Sequence, residues 1–410
     1  MLWAEKWGQL LTLGVVILVI LTGILYSISL GNTFRYRDEE IYFRLAHNLV
    51  SQGFYSLNGQ TPTAYRPPGY PFLLSLFMVF GATIIHLRMI NFLALGGSLF
   101  LLYQILRNQG YSLAGFIGVL LVVCYPILFY SAGTLYPQSI SSFLFLSIIF
   151  LLSRIKGRSI KADLFTGLLF GYLILTIPNF IIPLFFTVLW LFIFQRGFKT
   201  PALILIMTCL VIGCWSARNY RVFNSLFFIS TNSGINLLVG NSENTTANSG
   251  VSTDISEYEE KVIKMDEVKK DAYFRTRAME FIRTHKLHSL KLYVLKWFNH
   301  FNFRNELKTQ NESSWLKDLI GILTYGPLLI LFTIRLLLYK RFPFTPFEIY
   351  LILLYFLNAF YQAIFFTRIR FRIPFDFLLI IIVALFLYQV LIRMLERPYS
   401  NIKLIDKRCP

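Results

Sequence analysis

The stretch LAGFIGVLLVVCYPILFYSAGTLYPQSISSFLFLSIIFLLS, from Leu113 to Ser153, carries no charged residue. A second charge-free run, LFTGLLFGYLILTIPNFIIPLFFTVLWLFIFQ, extends from Leu164 to Gln195. A helix needs ~20 apolar residues to cross the hydrocarbon core of a bilayer, so each run is long enough for two crossings or a broken one. Unpaired backbone amides are too costly in lipid for anything but helix at such a length. The rest of the 410-residue chain agrees: 56% is apolar and 15% charged, with 41 Phe, 23 Tyr and a mean hydropathy of +0.59. That excludes disordered, collagen-like and coiled-coil chains and an ordinary water-soluble domain.

The expected fold is therefore an all-α integral membrane protein, a polytopic helical bundle of about ten spans. The spans are Leu10 to Leu30, Ile84 to Leu106, Leu113 to Ser131, Tyr136 to Leu152, Leu164 to Ile177, Asn179 to Phe194, Pro201 to Ala217, Trp315 to Leu338, Phe347 to Phe366 and Phe375 to Ile392. Leu10 to Leu30 is too long for the core of a signal peptide and lacks a small-residue cleavage site, so it reads as an uncleaved first helix. The net charge of +18 comes from basic residues concentrated in short connectors, so bilayer orientation explains most of it and no nucleic-acid partner is expected. With both termini cytoplasmic, Arg107, the run Arg154 to Lys161, Arg196 with Lys199, Lys340-Arg341 and the basic tail all fall inside. This requires Tyr70 to Gly81, apolar but only about 12 residues, to lie at the interface, because an extra crossing would carry the Arg154 to Lys161 run outside.

Three divisions follow. Residues 1–217 form a membrane module with a first external loop, 31–81, that carries interfacial helices; 218–314 form a small extracytoplasmic loop domain; 315–410 hold the last helices and a cytoplasmic tail. Cys124, Cys209, Cys214 and Cys409 have no metal-ligand or redox spacing. The triplets Asn244-Thr245-Thr246 and Asn311-Glu312-Ser313 are sequons of a kind that arises often by chance.

Charges that break the positive-inside pattern are the informative ones. In Arg35-Tyr36-Arg37-Asp38-Glu39-Glu40, Asp38 shares a helical face with Tyr42, Leu45 and Leu49, a setting that suits a carboxylate to proton abstraction. The same acids would equally serve as a solvated first turn complementing the helix dipole. In Thr63-Ala64-Tyr65-Arg66-Pro67-Pro68-Gly69-Tyr70-Pro71 a rigid turn holds Arg66 at headgroup level, where a guanidinium can take a lipid phosphate, or where it merely anchors with Tyr65 and Tyr70 in an aromatic belt. A third group joins Arg218 and Arg221, after Trp215, with Arg368, Arg370 and Arg372. It reads as an anion site or as side chains reaching for headgroups.

The order of these motifs resembles a known family. Asp38-Glu39-Glu40-Ile41-Tyr42 with Ala46, Leu49 and Gly53, then Tyr65 to Pro71, then Arg88 and Asn91, is similar to the first external loop of C-type (GT-C) glycosyltransferases. The nearer resemblance is to bacterial protein O-mannosyltransferases and aminoarabinose transferases. Trp215 with Arg218-Asn219-Tyr220, Ser230 to Leu237 ending in Gly240-Asn241, and Arg370-Phe371-Arg372-Ile373-Pro374 also look like that group.

The resemblance implies an enzyme that transfers a sugar, hexose or pentose, from a polyprenyl-phosphate carrier to a hydroxyl of a lipid, glycan or protein acceptor. Transfer would occur with inversion, on the periplasmic or extracellular face of a bacterial inner membrane, among membrane lipids. Carried over by residue, Asp38 is the catalytic base and Glu39 the partner acid that orients acceptor or sugar. Arg66 holds the carrier phosphate with Arg218 or Arg221, and Tyr42, Tyr65, Arg370 and Arg372 are further substrate-binding candidates. No cofactor is expected, since no His or Asp cluster has ligand character and an arginine clamp can replace a cation; divalent metal use in the wider superfamily keeps this open. Tyr65 replaces an acidic residue of the aminoarabinose transferases. Gln138 and Ile177 stand where relatives often carry Glu and Arg, which leaves the sugar undefined. Competing classes are a transporter or flippase of lipid-linked sugars, which calls for charges within spans and an internal repeat, and an inactive partner subunit.

Overall fold

A computed structural model of the protein describes residues 2–153, 159–195, 197–304 and 315–405. Arg154 to Arg158 of the basic run, Arg196, the Asn311 triplet, Cys409 and the last residues of the tail lie outside the described residues. The chain is built of helices, with an isolated antiparallel bridge between Ser56 and Pro62 in the first loop.

After α1 (Leu2–Leu30) come two helices of that loop, α2 (Arg37–Gln52) and α3 (Gly69–Met78), and then α4 (Ile84–Asn108). The first charge-free run forms α5 (Ser112–Val123), α6 (Pro126–Ala132) and α7 (Gln138–Ser153). The second forms α8 (Ile160–Thr176), a 3-10 turn at Pro178–Phe180 and α9 (Ile181–Gln195), followed by α10 (Lys199–Phe223). The next segment holds α11 (Ser233–Gly240), α12 (Ser256–Lys261), α13 (Glu267–Thr284) and α14 (Lys286–Asn299). The chain closes with α15 (Trp315–Leu337), α16 (Pro346–Gln362) and α17 (Ile369–Ile405).

The expected number of spans is corrected. Among the described residues five helices are long and apolar enough to cross a membrane, at Trp7–Leu30, Ile84–Asn108, Lys199–Phe223, Trp315–Leu337 and Ile369–Leu395; counting the bent pair α5–α6 as one span makes six. Proline is the physical reason for much of the difference. Its ring pushes the preceding residue out of the α region. Tyr125 accordingly sits at φ −114°, ψ 81°, and the chain turns by 67° into α6. Ile177 at φ −137°, ψ 107° ends α8 ahead of Pro178. The apolar helices that result are too short to span alone.

α17 is the centre of the bundle. Residues from Phe377 through Phe386 are buried on every side of the helix, packed against α5, α7, α15 and α16. Helices hydrophobic all round are core elements. α1 and α15 instead turn Leu11, Ile17, Leu18, Leu25, Leu323 and Ile330 outward, the surface of an integral membrane protein facing lipid. A separate cluster of Leu238, Val239, Ile255, Val262, Phe274 and Ala278 is closed by Phe366, from the connector before α17. Backbones touch there: a Cβ on Gly240 would meet the Phe365 carbonyl at 2.0 Å. The buried Lys296 ammonium donates to both carbonyls, at 2.8 Å to Gly240 and 2.7 Å to Phe365. Residues 365–370 are thereby delivered to the start of α17.

Candidate active site

α2 follows an extended Tyr36 and ends at Gly53, whose φ of 76° is the left-handed conformation glycine adopts at helix ends. Asp38, Glu39 and Glu40 occupy its first turn, where negative charge complements the helix dipole. Neighbouring side chains diverge by roughly 100° around a helix, so Asp38 and Glu39 meet different surroundings. Glu39 is fully buried. Its carboxylate accepts from the backbone N–H of Arg35 at 2.8 Å and of Leu135 at 3.1 Å, with Arg88 at 3.5 Å. Arg88 in turn donates to the Gly31 and Thr33 carbonyls, at 2.8 and 2.5 Å. Glu39 thus fastens α2 to the bundle.

Asp38 opens the other way, 22% exposed. Arg66 Nη2 donates to its Oδ1 at 2.7 Å and Arg370 Nη1 to its Oδ2 at 2.8 Å. Burial pushes the Asp38 carboxyl up, but Arg370 and Arg66, with Arg368 behind them, outweigh it and hold the group below the usual carboxylate range. Rings frame both guanidinium groups: Tyr42 and Tyr65 lie 5.8 and 5.4 Å from Arg66, and Tyr136 and Phe371 lie 5.1 and 5.3 Å from Arg370. The Nε of each arginine is buried without a protein acceptor.

The loop that carries Arg66 is fixed from several directions. The Tyr55 hydroxyl donates to the Arg66 and Pro67 carbonyls, at 3.1 and 3.2 Å. Gly69 fits so closely against the end of α8 that a Cβ would lie 2.4 Å from Thr176 Oγ1. Glu267, the first residue of α13, accepts from Thr63 Oγ1 and from the Ala64 N–H, both at 2.7 Å. Thr231 N–H donates to the Ala64 carbonyl at 3.0 Å.

Five of the candidates, Asp38, Arg66, Arg370, Tyr42 and Tyr65, therefore meet at one cleft. Glu39 lies behind it, enclosed. Arg218 is turned to the loop backbone, donating to the Thr63 carbonyl at 3.0 Å and stacking 4.7 Å from Trp215. Arg221 is exposed on the last turn of α10. Arg372, two residues from Arg370 and so roughly 200° around the helix, is buried elsewhere. It pairs with Asp376 at 2.9 Å, donates to the His300 and Asn302 carbonyls at 2.7 and 2.9 Å, and stacks on Tyr325 at 3.6 Å. The sequence reading missed Tyr136 and Glu267. Tyr136 sits beside the Gln138 departure and was readable as part of that motif, whereas nothing distinguishes Glu267 from the other acids of its mixed-charge segment.

Both Asp38 oxygens are engaged by guanidinium groups, Glu39 is enclosed, and no three His, Cys, Asp or Glu side chains converge among the described residues.

Comparison with known proteins adds a sequence match over part of the chain and a likeness of fold. Residues 65–217 match the family described as dolichyl-phosphate-mannose-protein mannosyltransferase. No curated protein matches the chain. The archaeal oligosaccharyltransferase AglB from Archaeoglobus fulgidus, in complex with an inhibitory peptide and a dolichol-phosphate, superposes with a TM-score of 0.51 at 17% identity, over 94% of this chain and 52% of that one. An oligosaccharyltransferase from the same organism, in the apo form, gives 0.51 at 15% identity with the same coverage. ArnT from Cupriavidus metallidurans bound to undecaprenyl phosphate gives 0.44 at 10% identity over 92% and 76%, a likeness that carries no weight by itself. This chain spans about half the length of the archaeal enzyme. In fold over nearly its whole length, and in sequence over residues 65–217, the chain resembles the GT-C membrane glycosyltransferases.

Proposed function

We propose that this protein is a membrane glycosyltransferase that moves a sugar from a polyprenyl-phosphate carrier to an acceptor hydroxyl, with inversion at the anomeric carbon. The observation that carries the reading is the Asp38 carboxylate bridged by Arg66 and Arg370 in an aromatic-walled cleft. An anion already occupies the place where two guanidinium groups converge, and each of those groups keeps a buried Nε without a protein acceptor. A donor phosphate offers the oxygens such groups bind best.

Binding and base catalysis are linked by this arrangement. With its two arginines in place Asp38 is a poor base. A donor phosphate that draws the guanidinium groups to itself leaves the carboxylate less compensated, and its affinity for a proton rises. Asp38 then removes the acceptor hydroxyl proton as the acceptor oxygen bonds to the anomeric carbon. The bond from that carbon to the phosphate oxygen breaks, and polyprenyl phosphate leaves with the electron pair. Arg66 and Arg370 stabilise the charge that grows on it. Glu39, Glu267 and Arg218 act through the elements they fasten. We assign the cleft to the extracytoplasmic face, since Arg107 lies at the opposite end of α4 from Arg88.

The test is a transfer assay on the full-length protein in proteoliposomes, with radiolabelled polyprenyl-phosphate hexoses and pentoses. Label appearing on an acceptor, with stoichiometric release of polyprenyl phosphate, supports the reading. Intact donor that only changes leaflet would replace it with transport.

A further inference from the structure

α14 presents an apolar face that stands exposed among the described residues. Ser289, Leu292 and Lys296 point inward and are buried. Tyr293 and Trp297 pack on α16: the tyrosine hydroxyl donates to the Phe360 carbonyl at 3.0 Å, and the indole stacks 5.4 Å from the Phe360 ring. The outward stripe is Leu287, Leu290, Val294 and Phe298, at the three- and four-residue spacing that puts side chains on one helical face. Leu287 is 85% exposed, Leu290 61% and Phe298 62%, far too open for a helix that ends in water. Lys286 and Lys291 flank the stripe, Arg283 precedes it, and the helix carries no carboxylate.

We infer that α14 is an interfacial helix whose partner is the bilayer itself, its stripe sunk among acyl chains and its basic residues on anionic lipid headgroups. Continuity selects this occupant. Phe360, near the end of α16, and Ile364, just past it, are exposed apolar residues as well. Phe303, just past α14, packs on Gly321 of the spanning helix α15. Charge agrees, because an apolar stripe flanked by lysine and arginine is the composition of helices that lie in an anionic membrane surface. Tyr and Trp on the inner edge of the stripe suit the same depth. The proposal stands independently of the sugar-transfer reading.

The test uses the full-length protein with its native cysteines replaced by alanine, reconstituted in nanodiscs of phosphatidylcholine alone or with phosphatidylglycerol added. A nitroxide is attached through Leu290→Cys or Phe298→Cys. Leu323→Cys on α15 serves as lipid reference and Glu280→Cys on α13 as water reference. Collisions with oxygen and with a water-soluble nickel chelate are then compared. The labels on α14 should resemble the lipid reference, with nickel collisions several-fold below those at Glu280. Phosphatidylglycerol should lower them further, and the pair Lys286→Glu and Lys291→Glu should abolish that additional change. Labels behaving like Glu280 would overturn the proposal, as would labels shielded from both relaxants, which would mean a protein surface covers the stripe. Equal behaviour with and without phosphatidylglycerol would overturn the anionic preference.

Discussion

Asp38 and Arg370 stand 332 residues apart in the chain, yet their side chains meet at 2.8 Å. The contact joins the loop between α1 and α4 to the start of the central helix, and Arg66 completes it from the far side of the carboxylate at 2.7 Å. Replacing Arg370 or Arg66 with alanine removes one donor from the proposed phosphate site. Transfer should fall by roughly a hundred- to a thousand-fold. Lysine at either position should recover only part of the loss, because an ammonium cannot bridge as a planar guanidinium does. Steady-state rates with the folded state checked by size-exclusion profile will decide, and undiminished rates in both alanine variants would remove the arginines from the reaction.

Glu39 is expected to behave differently. Its oxygens serve buried backbone donors and Arg88, so Glu39→Gln leaves part of a buried network unpaired, at a cost of about 3–5 kcal/mol. Thermal unfolding in detergent should show the loss, while the donor KM of the surviving folded enzyme stays near the native value. A raised KM with native stability would return Glu39 to the cleft.

Glu267 fixes the two residues that precede Tyr65-Arg66. Glu267→Ala removes both of these hydrogen bonds, and it should loosen that loop and raise the donor KM by about tenfold or more, since each charged hydrogen bond is worth about 1.5–3 kcal/mol. Thr63→Val breaks only the side-chain part and should have the smaller effect. Unchanged KM in Glu267→Ala would mean that the other anchors alone suffice.

Burial lowers Lys296 to about 7, and its acceptors Gly240, Asn241 and Phe365 are neutral. A base whose folded-state value lies below its ordinary 10.5 contributes stability that is complete above 10.5 and lost as pH falls toward 7. The midpoint of thermal unfolding should therefore rise from about pH 7 to about pH 9, and Lys296→Met should flatten that rise. A slope unaltered by the substitution would assign it to other groups.

What the sequence made legible follows from how each signal is encoded. The face shared by Asp38, Tyr42 and Leu45 is a local, periodic pattern, and the prolines after Arg66 announce a rigid turn. Spacing set Asp38 on that face, but the enclosure of Glu39 depends on Leu135 and Arg88, which are distant in sequence, so its anchoring role could not be read from spacing. The same holds for Arg370 and Arg372, and for Glu267, whose partner is a loop some two hundred residues away. Hydropathy found every apolar segment but overcounted crossings. It averages over windows: one span, Leu113 to Ser131, runs straight through the break at Pro126, and the segments on either side of Pro178 are counted as crossings although each is too short to span.

The most direct measurement is single-turnover transfer by Asp38→Asn beside the native protein, with donor binding measured on the same samples. Asparagine keeps the shape of the side chain but cannot take the acceptor proton. Transfer should drop by about a hundred- to ten-thousand-fold while the donor still binds. Transfer at the native rate with the donor bound would contradict the assignment of Asp38 as the base.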